Sequence, residues 1–248
     1  MKWEFAPDEF MHVWQETGRD RYPYPLEVRS SVRWEDEFQR LVARIATTYP
    51  RGGDPDLSGA LRIAADPDRT LTLSGSRRHR IRAYGGFAGN TAVTIVQFPG
   101  TTTDFDGKFV IQAGSPEIVP RIFLQILGEL PMGTRPPLVE SIDRLRDTYE
   151  VWNGGRPQPA DRMRRLLKAP RAGSGFLEAR HRLRDPDPPP PRYLSWFDVV
   201  DDGRYIYRHR FQDFHIDPIS HAELRRELDR LVSTRAARSG ADDREPSR

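Results

Sequence analysis

The stretch TAVTIVQFPG (91–100), with TTTDFDG (101–107), KFVIQAG (108–114) and a helix opening at Ser115, follows the same plan as RYLSWFDVV (192–200), with DDG (201–203), RYIYRHRF (204–211) and a helix opening at Ser220. A strand, an acidic turn closed by glycine, a second strand and a capped helix occur twice. This repetition predicts an α+β protein of two related lobes in a quasi-two-fold arrangement, with a central antiparallel sheet flanked by helices. We expect one domain over 1–232, with lobes of approximately 1–150 and 151–232, and a disordered tail over 233–248, where no apolar period remains.

Working outward, WEF (3–5) reads as a short strand and Asp8 as the cap of a helix carrying Phe10, Val13 and Trp14. Ser31 opens a second helix with Trp34, Phe38, Leu41, Val42 and Ile45 on one face, and a short third helix covers 57–64. Strands follow at TLTLSG (70–75), HRIRAYGGF (79–87) and TAVTIVQF (91–98), the last apolar on both faces as a central strand requires. Beyond Gly128, helical spacing aligns Leu138, Ile142, Leu145 and Tyr149, and a basic helix covers 161–168. GSGFLEARHRL (173–183) alternates as a strand, and RDPDPPPPR (184–192) reads as a polyproline-like connector.

The 248 residues contain no cysteine, which excludes disulfides, thiolate metal sites and thiol nucleophiles. There is no long apolar run, and MKWEFAPDEF places acids where a signal peptide needs its apolar core; the chain reads as cytoplasmic. The net charge is +3. The basic residues nevertheless crowd 156–192, which reads mainly as an arginine-rich solvated surface. His209, His215 and His221, with Asp213 and Asp217 between them, are spaced too far apart along an extended path to share an ion, so no metal site is expected. GGFAGN (85–90) lacks the Gly-Lys-Ser/Thr and the following helix of a phosphate loop, and Ser174 in GSG precedes a strand instead of a helix. Asp198 and Asp201 flank a turn and read as turn-forming and solvated. No catalytic residue and no cofactor site is predicted. The aromatics Tyr193, Trp196, Phe197, Tyr205, Tyr207, Phe211 and Phe214, interleaved with Arg204, Arg208 and Arg210, leave an alternative open: a basic nucleic-acid-binding α+β protein.

The segment PPPRYLSWFDVVDDGRYIYRHR (189–210) resembles the EspG family, the cytoplasmic chaperones of actinobacterial type VII (ESX) secretion, in which a C-terminal strand pair reads roughly W-x-D…D-G-R-Y. The matching residues are Trp196, Asp198, Asp202, Gly203, Arg204 and Tyr205. WEFAPDEFMHVW (3–14), YPYPLEV (22–28), WEDEFQRLVARI (34–45), AADPDRTLTLSG (64–75) and TAVTIVQFPG (91–100) are similar to their family counterparts in order and spacing. The resemblance implies a protein without catalysis that binds the hydrophobic helical tip of a PPE-like subunit in a PE/PPE-type heterodimer and keeps it soluble for export. It places the connection between the second and third strands, here only SGSRRH (74–79), against the client. Arg77, Arg78 and His79 are therefore the expected partner contacts, with Trp196 and Tyr205 beside them. Arg77 and Arg78 are expected to be exposed.

Overall fold

A computed structural model describes residues 1–32, 34–101, 107–146 and 158–233. In chain order they form β1 (Lys2–Phe5), α1 (Pro7–Trp14), a 3₁₀ turn (Gln15–Thr17), α2 (Glu35–Thr48), α3 (Pro55–Ala65), β2 (Arg69–Ser76), β3 (Arg80–Ala88), β4 (Thr91–Gln97), β5 (Phe109–Gly114) and α4 (Ile118–Leu127). Then come β6 (Leu138–Ser141), α5 (Ile142–Arg146), α6 (Pro159–Lys168), β7 (Arg171–Arg180), β8 (Arg192–Val199), β9 (Gly203–Arg210), β10 (Asp213–Pro218) and α7 (His221–Val232).

Among the described residues the ten strands form one sheet, in the order β1-β5-β4-β3-β2-β7-β8-β9-β10-β6. Every neighbouring pair is antiparallel. From the β2–β7 pair outward, each half is a four-strand meander whose last strand pairs with a strand that precedes the meander in sequence: β1 beside β5, and β6 beside β10.

Side-chain alternation sends each strand's residues to two faces, and both are buried. On the first face α4 and α7 lie side by side over the seam, packing Val119, Phe123, Leu224 and Leu228 on Leu71, Leu73, Leu177 and Trp196. On the second face α1 and α3 cover one half, where Phe10 stacks on Phe109 with ring centroids 4.3 Å apart. There α6 covers the other half, setting Met163 and Leu166 on Phe197, Tyr205 and Ile216. Burying each such side chain contributes roughly 1.5–3 kcal/mol. Val93 and Ile95 face the second layer while Ala92 and Val96 face the first, as the doubly apolar reading of β4 requires.

Several expectations are corrected. Leu138–Ser141 is a strand, not the start of a helix, because its alternating side chains fill the edge beside β10 in the register Ile216↔Leu138. The changeover between halves therefore falls in 129–137, ahead of the expected 150. Tyr149, most of the turn 101–107 and the tail beyond Ser233 lie outside the described residues. The expected second repeat stops one strand early, since FQDFHIDP contains β10. By strand order, β4 and β5 thus correspond to β9 and β10, not to β8 and β9. The first helix is capped by Ala6, whose N–H donates to Glu9 (2.8 Å). Asp8 instead accepts from the Ser31 hydroxyl (2.5 Å) and its N–H.

Candidate functional site

The residues of the W-x-D…D-G-R-Y segment meet at the C-terminal end of α4. That helix ends at Leu127 with Gly128 at φ 63°, leaving carbonyl oxygens that carry the negative end of the helix dipole. Arg204, on β9 and only 2% exposed, satisfies them: Nη2 donates to Leu127 O (2.6 Å) and Nη1 to Gly128 O (3.1 Å). The same guanidinium donates through Nε to Asp198 Oδ1 (2.7 Å) on β8. Arg77, from the β2–β3 turn, reaches the other carboxylate oxygen through Nη2 (2.8 Å) and also donates to Leu127 O. The Trp196 ring lies 5.5 Å from the Arg77 guanidinium and 5.6 Å from that of Arg204. Two cations and one carboxylate are tolerable in the interior because the carboxylate and the helix-end carbonyls share the guanidinium donors.

Glycines admit this cluster. A Cβ at Gly173 would come within 2.4 Å of the Arg77 stem, and one on Gly75 or Gly175 within about 3 Å of the Trp196 ring.

The remaining residues anchor the connection between the halves. Arg204 N donates to Pro131 O (2.9 Å), and Arg204 O accepts from Gly133 N (3.1 Å). Asp202 accepts from the Thr134 N–H and hydroxyl (both 2.8 Å) and from the Tyr205 hydroxyl (2.7 Å), which in turn accepts from Arg135 N (3.0 Å). Burial pushes the Asp202 carboxyl up, but these donors together with Arg135 hold it below the ordinary range. Burial, then the Asp202 hydrogen bond, raises the Tyr205 phenol. Gly203 lets the connection pass, since a Cβ there would stand 2.6 Å from Pro131 O.

Of the expected partner contacts, Trp196 and Tyr205 are each 0% exposed and available to no partner, because α4, α7 and the 131–135 connection seal them. Arg77 is drawn inward by Asp198, which its position in a basic turn does not reveal; its side chain is 26% exposed. Arg78 and His79 stand exposed at the tip of the turn. At the same end of the sheet lie Leu130, Met132 and Val200, which are 36%, 49% and 44% exposed. Sequence reasoning passed over these three because Leu130 and Met132 sit singly among turn residues and Val200 reads as the end of a strand. Their shared position follows from the β8–β9 turn and from the 131–133 connection bonded to Arg204. From this end a strip runs across the second face between the two helical covers, floored by Ser74, Phe176 and Ser195 in register and only partly buried.

The basic stretch is largely engaged within the chain. Arg164 pairs with Asp161, Arg180 with Glu178, Arg182 with Asp185, and Arg184 with Asp66 and Asp68, while Arg192 donates to Arg230 O. His209 and His215 lie on opposite faces, since His215 pairs with Arg208 across the β9–β10 hairpin, a turn that an extended reading missed. Among the described residues no group of three or more His, Asp or Glu side chains is placed to hold a metal ion, and no helix is long and apolar enough to cross a membrane.

No curated protein matches the sequence. Among solved structures, the chain is similar to the type VII secretion system chaperone EspG5 of Mycobacterium tuberculosis, determined in complex with a PE25–PPE41 dimer. The TM-score is 0.63 at 11% identity, over 96% of this chain and 98% of that one, a likeness of fold. The EspG family model matches residues 6–230, from the first helix through both halves of the sheet to α7. A match of that extent, with the W-x-D…D-G-R-Y residues forming the buried joint between the halves, means that the chain belongs to the EspG family.

Proposed function

We propose that this protein is a non-catalytic cytoplasmic chaperone of a type VII secretion system, which holds a PE/PPE-type heterodimer by the hydrophobic helical tip of its PPE-like subunit. The observation that carries this reading is the family match over 6–230, supported by the likeness to a chaperone solved with such a dimer. The client docks at the end of the sheet where the β2–β3 turn meets the β8–β9 turn. Leu130, Met132 and Val200 supply apolar contact, Arg78 and His79 form the rim, and the strip floored by Phe176 receives the tip. An apolar tip left in water promotes aggregation, and covering it on a rigid sheet removes that surface from other copies.

Co-expression with a cognate PE/PPE-type pair, followed by size exclusion, tests the proposal. The expected result is a 1:1:1 complex that buries on the order of 2,000 Å² in total. A soluble client that never co-migrates with the chain refutes it. Arg78→Glu/His79→Glu should leave the thermal midpoint unchanged, both side chains being exposed, and weaken the complex by about 1–3 kcal/mol. Unchanged affinity removes the turn from the interface without touching the chaperone assignment.

A further inference from the structure

β7 and β8 are adjacent antiparallel strands, paired as far as Ala179↔Arg192, and two residues suffice to join such a pair. The chain uses eleven, 181–191. Residues 186 and 188–191 among them are proline. The strand gap is about 5 Å, so reach does not account for the length.

Sterics dictate the connector's shape. Each proline fixes its own φ, and residues 187–190 each precede a proline, which bars them from the helical region. The peptide bonds here are trans. The outcome is polyproline II, three residues per turn and about 3.1 Å per residue. Prolines 188–190 are exposed, so the run does not fill the core.

The ends of the run are fixed. Leu183 N donates to Asp68 O (2.9 Å), Arg184 pairs with Asp66 and Asp68, and Arg182 pairs with Asp185. At the other end Arg192 enters β8 and donates to Arg230 O (2.9 Å). Three residues after Pro190 the ring of Tyr193 stands 54% exposed. Both flanking arginines are already bonded, and the Tyr193 ring, although it lies 6.4 Å from that of Phe176 and bonds to Arg180, keeps more than half of its surface open beside the prolines.

We propose that Pro188–Pro191 together with Tyr193 is a preformed polyproline ligand that docks into an aromatic-lined, proline-binding groove of a partner protein. Such grooves take rigid proline rings because the ligand has little conformational freedom left to lose. Here the fold has ordered the run before binding, at the end of the sheet opposite Arg78, His79 and the β8–β9 turn, with Tyr193 reaching the far end of the strip floored by Phe176. The inference does not rest on the proposed client, and the titration below is made with the chain alone.

The test is a titration of a ¹⁵N-labelled WW domain, a module that reads polyproline beside an aromatic residue, with the full chain. The expected result is chemical-shift change confined to the aromatic groove of the probe. Pro189→Ala/Pro190→Ala and, separately, Tyr193→Ala should each weaken binding about tenfold or more, with circular dichroism showing both variants folded at the temperature of the titration. Absence of groove shifts with the wild-type chain, or equal binding by both variants, overturns the proposal. Tyr193→Ala alters no proline, so it decides the matter if the double variant fails to fold.

Discussion

At the scale of single residues, the joint at the end of α4 shows what a linear motif conceals. Trp196, Asp198, Asp202, Gly203, Arg204 and Tyr205 were legible as a recurring segment. Their roles were not, because the groups that complete them are remote: Leu127 O lies 77 residues from Arg204, and Arg77 lies 121 from Asp198. Local pattern carries no signal at such separations. Asp198 is the pivot, the one carboxylate between two guanidinium groups. Removing it in Asp198→Ala leaves Arg204 buried without its counter-charge and should destabilise by about 3–5 kcal/mol, read from urea unfolding. Arg77→Ala should cost about 2 kcal/mol or less, because its side chain is partly exposed and Arg204 still holds Asp198. Equal losses in the two variants would show that Arg77 matters to the joint as much as Asp198 does.

At the scale of elements, strong local chemistry was readable and weak local chemistry was not. The Ser220 cap and Glu223 announced α7, and the structure has both halves of the box: Glu223 N donates to Ser220 Oγ (3.2 Å) and Ser220 N to Glu223 Oε2 (3.0 Å). The β9–β10 hairpin escaped notice because its turn lacks glycine; Phe211 takes φ 54° there, fully exposed. Hydrogen bonds from the Ser220 N–H and then its hydroxyl hold the Glu223 carboxyl below the usual range. A depressed carboxylate stabilises the fold above its unfolded pKa, and the contribution fades as pH falls through the folded value. The stability gap between the wild type and Glu223→Gln should therefore be about 0.3–1 kcal/mol near neutrality and should close below about pH 4. Denaturation midpoints measured across that interval check this. A gap that persists at pH 3 would mean the charge is not its source.

At the scale of the whole molecule, the shared strand order predicts an approximate two-fold axis through the Leu73–Leu177 pair, the middle of the β2–β7 register. In an experimental structure, β2–β5 with α4 should superpose on β7–β10 with α7; a rotation that aligns the strands but sets the two helices on different faces would disprove the symmetry. The sequence reading expected a duplication but paired β4 and β5 with β8 and β9, whereas the strand order sets them against β9 and β10, because the shared feature is connection order and not matching residues. The same topology also has a meaning in time. β1 to β5 all lie within the first 114 residues, so once these have left the ribosome the first meander can assemble while the rest of the chain is still being made. The outer edge of β2 then waits for β7, whose first residue follows Ser76 by 95 positions (171 − 76). At ordinary rates of translation that is roughly 5 to 20 s with an unpaired edge beside Leu71 and Leu73. In the EspG fold, the seam that finally unites the two halves is also the place where the newborn chain is most exposed to wrong company.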